Sequence, residues 1–302
     1  MIWLIGCNGM LGTEFSLLLE KNGLPFIGTD REVDITDHAA LCDFAKKQEN
    51  LGGGFSWIIN CAAYTAVDKA EDDIETCRRL NTLGAANIAS CAKNINARLI
   101  HLSTDYVFDG KGIAEGKNLR LYREDDETAP TGIYGLTKRD GEFQITENNS
   151  RSFIIRTAWL YGKHGNNFVH TMLRLMNERD EIKVVDDQRG SPTWAFDLAS
   201  VILTLIKIVD SGKNVPFGIY HFTNEGNITW FEFAKEIYRQ GRELGLIKKE
   251  CAVKPCTSAE YPAKVKRPAF SVLDKSKIKA ALGIKIPLWN ESLTEFLKTC
   301  AC

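Results

Sequence analysis

The sequence predicts an α/β protein built on a doubly wound parallel sheet, and three observations carry that prediction. Short apolar runs alternate with amphipathic helical stretches along most of the 302 residues. Runs such as Trp57-Ile58-Ile59 and Phe153-Ile154-Ile155 are apolar at every position, the mark of a strand covered on both faces. The first run leads into Gly6, Gly9 and Gly12, a G-x-x-G-x-x-G loop that opens directly into a helical pattern.

In chain order, Ile2 to Ile5 reads as a strand, and Leu11, Phe15, Leu18 and Leu19 recur at helical spacing until Asn22-Gly23 stops the helix. Because that helix begins inside the glycine loop, its free N–H groups and positive dipole end suit a pyrophosphate. Pro25 to Thr29 is the next strand. It ends in Asp30, 18 residues beyond Gly12, where a carboxylate can accept hydrogen bonds from an adenosine ribose. This is the Rossmann-type arrangement.

Thr36 or Asp37 caps a helix through Lys47, and Gly52-Gly53-Gly54 breaks the chain before a strand from Trp57 to Ala63. Its small last residues, Ala62 and Ala63, leave room for a ligand across the strand end. Val67 to Asn94 reads as one helical pattern striped by Leu80, Leu83, Ile88 and Ala92. Ala97 to Leu102 is a strand that ends in Ser103-Thr104-Asp105-Tyr106, polar side chains where open α/β sheets bind ligands. A long aperiodic loop reaches Pro130. The helix from Tyr134 to Glu147 then sets Tyr134 and Lys138 on one face, a phenol and an ammonium close enough for acid–base work.

Phe153 to Tyr161 reads as a buried strand with Trp159 and Tyr161 as core, and Gly165 to Phe168 opens a helix. A strand at Ile182 to Val185, a helix from Phe196 to Val209 and a strand at Ile219 to Phe222 follow, with His221 as a hydrogen-bonded structural histidine. Thr229-x-x-Glu232 is a capping box for a helix through Leu244, and short helices follow Asp274 and Ser292. Lys264, Lys266 and Arg267 form a basic loop, suited either to a diphosphate or to solvent. The pattern divides into a dinucleotide-binding domain at 1–165, with 190–225 returning to it, and a smaller substrate domain at 166–189 and 226–302.

A net charge of −1 gives no basic field for nucleic acid or anionic lipid, so the expected partners are small molecules or proteins. Met1 to Ile5 is too short for a signal core or membrane span, so a cytoplasmic protein is expected. The nine cysteines contain no C-x-x-C pair and read as reduced thiols, with Cys300 and Cys302 as incidental residues of the tail. No side chains stand at metal-ligand spacing, and no metal is expected.

Together, the glycine loop, Asn60-Cys61-Ala62-Ala63, Ser103-Thr104-Asp105 and Tyr134-x-x-x-Lys138 resemble the extended short-chain dehydrogenase/reductases. Ala62 to Glu71, Ser103 to Gly110, Arg156 to Tyr161 and Gly165 to Phe168 are similar, more narrowly, to the dTDP-4-dehydrorhamnose reductases. The resemblance implies NADPH- or NADH-dependent reduction of the 4-keto group of a dTDP-6-deoxy-hexulose. On it, Tyr134 donates the proton, Lys138 holds the nicotinamide ribose and lowers the tyrosine pKa, and Thr104 binds the substrate oxygen. It places the cofactor on Gly6, Gly9, Met10, Leu11, Gly12, Asp30, Asp34, Ile35, Ala62, Ala63 and Tyr64, and the nucleotide sugar on Thr65, Asp105, Trp159 and Arg267.

Relatives that dimerise through magnesium use three glutamates. Glu14 matches the first, but Phe196 and Asn290 occupy the other two positions, so a magnesium bridge is not expected and a homodimer without one stays open. Arg31 beside Asp30 leaves NADH and NADPH open. A nucleotide-sugar epimerase or dehydratase shares the Tyr and Lys, but the second acid a dehydratase needs is Tyr106 here. A non-catalytic regulatory subunit with this fold is the remaining alternative.

Overall fold

The computed structural model describes residues 1–261 and 263–301. Its first half alternates strand and helix: β1 (Ile2–Ile5), α1 (Met10–Lys21), β2 (Phe26–Thr29), α2 (His38–Asn50) and β3 (Trp57–Asn60). Next come α3 (Val67–Ala70), α4 (Ile74–Arg78), a π-helical turn (Arg79–Leu83), α5 (Gly84–Asn94) and β4 (Arg98–Thr104). A small antiparallel hairpin, β5 (Ile113–Glu115) and β6 (Asn118–Arg120), lies in the long loop before α6 (Ile133–Asn148) and β7 (Ser152–Thr157). The second half contains β8 (Leu160–Tyr161), α7 (Phe168–Glu178), β9 (Glu181–Val185), β10 (Arg189–Gly190), β11 (Thr193–Trp194) and α8 (Ala195–Asp210). It finishes with β12 (Gly218–His221), β13 (Ile228–Thr229), α9 (Trp230–Glu243), β14 (Ala252–Cys256), α10 (Ser276–Leu282) and α11 (Trp289–Ala301).

Six strands form one parallel sheet in the order β12-β7-β4-β3-β1-β2. Strand alternation explains why the apolar runs of these strands serve both faces. Leu4, Ile59, Ile100 and Ile155 face one cluster, formed with Phe15 and Leu19 of α1 and Leu198, Ile202 and Ile206 of α8. Trp3, Ile58, Leu99 and Ile154 face the other, with Leu41 of α2, Ile88 and Ala92 of α5, and Ile145 of α6. The order reverses between β1 and β3, and that switch point opens a crevice at their C-terminal ends.

A third apolar cluster stands apart from the sheet. Val169, Met172, Met176, Ile182, Phe233, Ile237, Phe296 and Leu297 join α7, β9, α9 and α11, and β9 pairs in parallel with β14. Thr229 and Glu232 make the expected capping box at α9. α10 instead packs on the first cluster through Ile278 and Leu282.

Several boundaries differ from the sequence pattern. β3 stops at Asn60 rather than Ala63, because the Asn60 side chain accepts from Ala62 N and turns the chain out of the ladder. The stretch from Val67 to Asn94 is three helices and a π turn, not one helix, while β4 runs on through Ser103 and Thr104. The Phe153 to Tyr161 run breaks at Trp159, whose φ of 49° is left-handed. α7 starts only at Phe168, where Asn167 accepts from His170 N, and α11 starts at Trp289, ahead of Ser292. Of the tail cysteines, Cys302 lies outside the described residues. Among the described residues no helix is long and apolar enough to cross a membrane.

Candidate active site

The crevice is lined first by the glycine loop. Gly6 adopts φ 78°, and a Cβ there would come 2.6 Å from Ala62 N, so only glycine lets β1 and the end of β3 approach this closely. A Cβ on Gly12 would lie 2.1 Å from Gly6 O, which fixes the helix hard against the loop. At Gly9 the nearest atom to such a Cβ is 3.4 Å away, so the missing side chain leaves open space at the N-terminus of α1. Among the described residues no side-chain oxygen caps that helix end. Met10 and Leu11 follow on its first turn, with Leu11 buried and Met10 against Gly162.

Asp30, at the end of β2, accepts a 3.3 Å hydrogen bond from Asn8 N and so sits over the loop. Asp34 binds Thr36 through both backbone and hydroxyl, which holds its carboxyl below the usual range. Asp37 caps α2, resolving the choice between Thr36 and Asp37. Ile35 is buried, with its side chain against Gly84. Across the cleft, Asn81 clamps the chain after β3 by accepting from Tyr64 N at 2.8 Å and donating to Tyr64 O at 3.1 Å. Ala62, Ala63 and Tyr64 are thereby held at the crevice, and Thr65 is exposed just beyond them.

Tyr134 and Lys138 project from the first turns of α6, whose N-terminus is fixed by Glu71 accepting from Ile133 N at 2.8 Å. The Tyr134 phenol hydrogen-bonds Thr104 at the end of β4 and packs edge-on against Tyr106, ring centres 5.6 Å apart. Enclosure of that phenol pushes it above the ordinary tyrosine range, and the Thr104 hydrogen bond only partly opposes this. The sequence pattern implied the reverse, a tyrosine lowered by Lys138. The lysine amine is directed elsewhere, to Leu102 O at 2.6 Å and His101 Nε2 at 3.1 Å. Burial pulls Lys138 down to about 8 against the upward pull of Glu142. Burial together with Lys138 keeps His101 well below the usual histidine range.

Thr104 donates to Asp105 at 3.0 Å, and burial lifts Asp105 to about 6 against hydrogen bonds from Ser271 and Thr104. Trp159 stacks on Trp230 at 3.5 Å with 12° between planes, above Gly190, where a Cβ would strike the indole at 2.5 Å. Arg267 forms an ion pair with Asp68 and donates to the Tyr106 hydroxyl at 3.2 Å, while Lys264 pairs with Asp72. The structure therefore joins Tyr134, Thr104 and Asp105, sets Lys138 one turn further along α6 with its amine on Leu102 O and His101, and places Arg267 one residue behind them through Tyr106. His221 is the expected structural histidine, buried with its Nδ1 3.2 Å from Tyr122 O.

Sequence reasoning missed Asn81, His101 and Glu71. Asn81 had a signal: a buried amide inside an apolar helical stripe, at a π turn, a distortion that often marks functional sites. His101, one polar residue among apolar neighbours on β4, offered a weaker one.

A Tyr-x-x-x-Lys pair, its tyrosine half-buried and its lysine buried, beside a strand-end threonine at the switch point of a parallel sheet defines a Rossmann-type reductase of the short-chain dehydrogenase/reductase class. The comparisons with known proteins narrow that class. The family model described as "RmlD substrate binding domain" matches residues 1–302, and the chain belongs to this family of dTDP-4-dehydrorhamnose reductases. A dTDP-4-dehydrorhamnose reductase of Aggregatibacter actinomycetemcomitans is 38% identical over 291 residues, 95% of each chain. The crystal structure of a Clostridium acetobutylicum dTDP-4-dehydrorhamnose reductase superposes with a TM-score of 0.88 at 38% identity, covering 100% of this chain and 99% of that one. A Bacillus anthracis counterpart in complex with NADP gives 0.87 at 35% identity, covering 99% and 98%.

Proposed function

We propose that the protein reduces the 4-keto group of dTDP-4-dehydro-6-deoxy-L-mannose (dTDP-4-dehydro-L-rhamnose) to give dTDP-L-rhamnose, with NADPH or NADH as reductant, in cytoplasmic nucleotide-sugar synthesis. The observation that carries this reading is the Tyr134 phenol. It is held protonated by burial and hydrogen-bonded to Thr104, at the C-terminal end of the sheet. The residues present fit a dinucleotide: Gly9 leaves room at an uncapped helix end, and Asp30 offers a carboxylate at the rim for ribose hydroxyls. When bound, that cofactor supplies the hydride for the carbonyl carbon.

The chain supplies the proton and the alignment. Tyr134, protonated across the ordinary pH range, donates its phenolic proton to the carbonyl oxygen, which becomes the new hydroxyl. Thr104, its hydroxyl turned to Asp105, supports the same oxygen once the substrate replaces that contact. The indole of Trp159 offers a flat wall for the sugar. In this reading residues 1–165 with 190–225 hold the cofactor and 166–189 with 226–302 hold the sugar. Arg267, already paired with Asp68, steers the diphosphate indirectly through Tyr106.

The test is cofactor oxidation, followed by absorbance, on addition of the dTDP-4-keto-6-deoxy-L-sugar, with the UDP-linked sugar as competitor. Turnover in the native protein and a loss of about 10²- to 10⁴-fold in Tyr134→Phe, with unchanged thermal unfolding, are expected. Protein that binds NADPH or NADH yet oxidises neither with this substrate would overturn the assignment in favour of a regulatory subunit.

A further inference from the structure

Between the proton donor and the basic loop stands a second tyrosine. Tyr106 lies in the short 3₁₀ turn Asp105–Val107 that follows β4. Its backbone is fixed on both sides. The Tyr106 N–H donates to Thr104 Oγ1 at 3.3 Å, and its carbonyl lies so close to Gly135 that a Cβ there would come within 2.2 Å. Gly135 directly follows Tyr134 on α6, so the turn meets the start of that helix with no side chain between them. The two tyrosine rings then meet edge-on, centres 5.6 Å apart and planes at 73°, the arrangement aromatic pairs favour.

The hydroxyl end of Tyr106 is held by a distant stretch of the chain. Arg267, 161 residues further on, donates from Nη1 to that hydroxyl at 3.2 Å, and its Nη2 is paired with Asp68. Asp68 also accepts from Val265 N at 3.3 Å, which ties the ion pair to the loop that carries the arginine. The Arg267 side chain is 25% exposed and that of Asp68 46%, so this end stands at the rim, while Thr104 and Asp105 are buried. Contacts thus run from Asp68 to Arg267, to Tyr106 and to Tyr134.

We propose that Tyr106 is a positioning residue for the reduction: its ring sets the Tyr134 phenol against Thr104, and Arg267, anchored by Asp68, sets Tyr106. The hydrogen bond to Thr104 holds the Tyr134 phenol at one point only. The edge contact with Tyr106 supplies a second, and two points fix where the proton leaves. Position 106, where a dehydratase needs an acid, here supplies a ring and not a proton. The inference rests on the reductase reading, and its test therefore includes a measurement without substrate.

Tyr106→Phe keeps the ring and loses the hydroxyl, whereas Tyr106→Leu loses both. With the dTDP-4-keto-6-deoxy-L-sugar, kcat should fall about 10- to 100-fold in Tyr106→Leu and return to within about threefold of native in Tyr106→Phe, with thermal unfolding as the check on the fold. In a Tyr134→Phe background, Tyr106→Leu should lower the residual turnover by less than about twofold, because its effect passes through the phenol. Arg267→Met and Tyr106→Phe break the same contact, so the double variant should lose no more than the larger single one. Equal losses in both Tyr134 backgrounds, or additive losses for Arg267 and Tyr106, would overturn the proposal. In the ligand-free protein, the Tyr134 ring resonances, assigned by their absence from Tyr134→Phe, should shift in Arg267→Met, although Arg267 reaches Tyr134 only through Tyr106. A shift in protein that does not turn over would leave the contact chain standing and remove the reductase reading. Unmoved resonances would remove the proposal itself.

Discussion

Lys138 and Glu142 lie one helical turn apart on the same helix, α6, and both are almost completely buried, yet their surroundings differ in kind. Glu142 is fully matched: Arg156 reaches it with Nε at 2.9 Å and Nη2 at 2.7 Å, Ser103 adds a third hydrogen bond at 2.5 Å, and Arg156 itself lies over the Phe108 ring. Lys138 has a carbonyl and a histidine but no carboxylate of its own. A buried charge that is paired and hydrogen-bonded is structure. A buried amine without a counter-ion has a labile protonation state, and labile protonation is the raw material of acid–base chemistry. The helix joins a fixed charge and an adjustable one within a single turn.

Breaking the fixed charge should have the largest effect. Glu142→Gln leaves Arg156 charged and buried with no counter-ion, and a loss of about 3–5 kcal/mol in denaturant unfolding is expected. A midpoint close to the native one would show that the pair is not structural. Removing the adjustable group should act in the opposite direction. Lys138 is held down to about 8, below its ordinary 10.5, so the unfolded chain binds this proton more tightly than the native state does. Its burial therefore costs stability at low pH, and the cost is relieved as pH rises through the folded value toward 10.5.

Lys138→Met, which keeps the aliphatic stem, should accordingly unfold later than the native protein. The gain is on the order of 3 kcal/mol at low pH and narrows to nothing by about pH 10.5. A variant less stable than native at every pH would count against the contrast. The smallest change is Ser103→Ala, which removes one of the three bonds to Glu142 and leaves the Arg156 pair in place. About 1–2 kcal/mol should be lost in thermal unfolding. A larger loss would mean that Ser103, and not Arg156, anchors the carboxylate.

The parts of this arrangement that were legible in the sequence are those written locally. Strand and helix periods, the glycine loop, the capping box at Thr229 and the i, i+4 spacing of Tyr134 and Lys138 all follow from neighbours a few residues apart. What was hidden depends on partners far along the chain. His101 meets Asn60 across 41 residues and Lys138 across 37, and Arg156 meets Glu142 from the adjoining strand, so no window of sequence contains both members in recognisable form. The same reason explains the wrong sign for Tyr134. Spacing brought a lysine close, but burial outweighed it and His101 claimed the amine. Arg267 looked like a free cation because Asp68, which neutralises it, lies 199 residues earlier.

The placement of α8 bears on how the chain matures during synthesis. One face of the sheet is closed by α1 together with Leu198, Ile202 and Ile206 of α8, and the edge strand β12 joins β7 only at residues 218–221. Trp57 likewise completes its hydrogen bonding with Asp210, 153 residues downstream. A ribosome that has made the glycine loop and the whole of α6 has thus produced strands whose apolar side is covered only by α1. The nascent chain must shelter that surface, or have it sheltered, while several dozen further residues emerge.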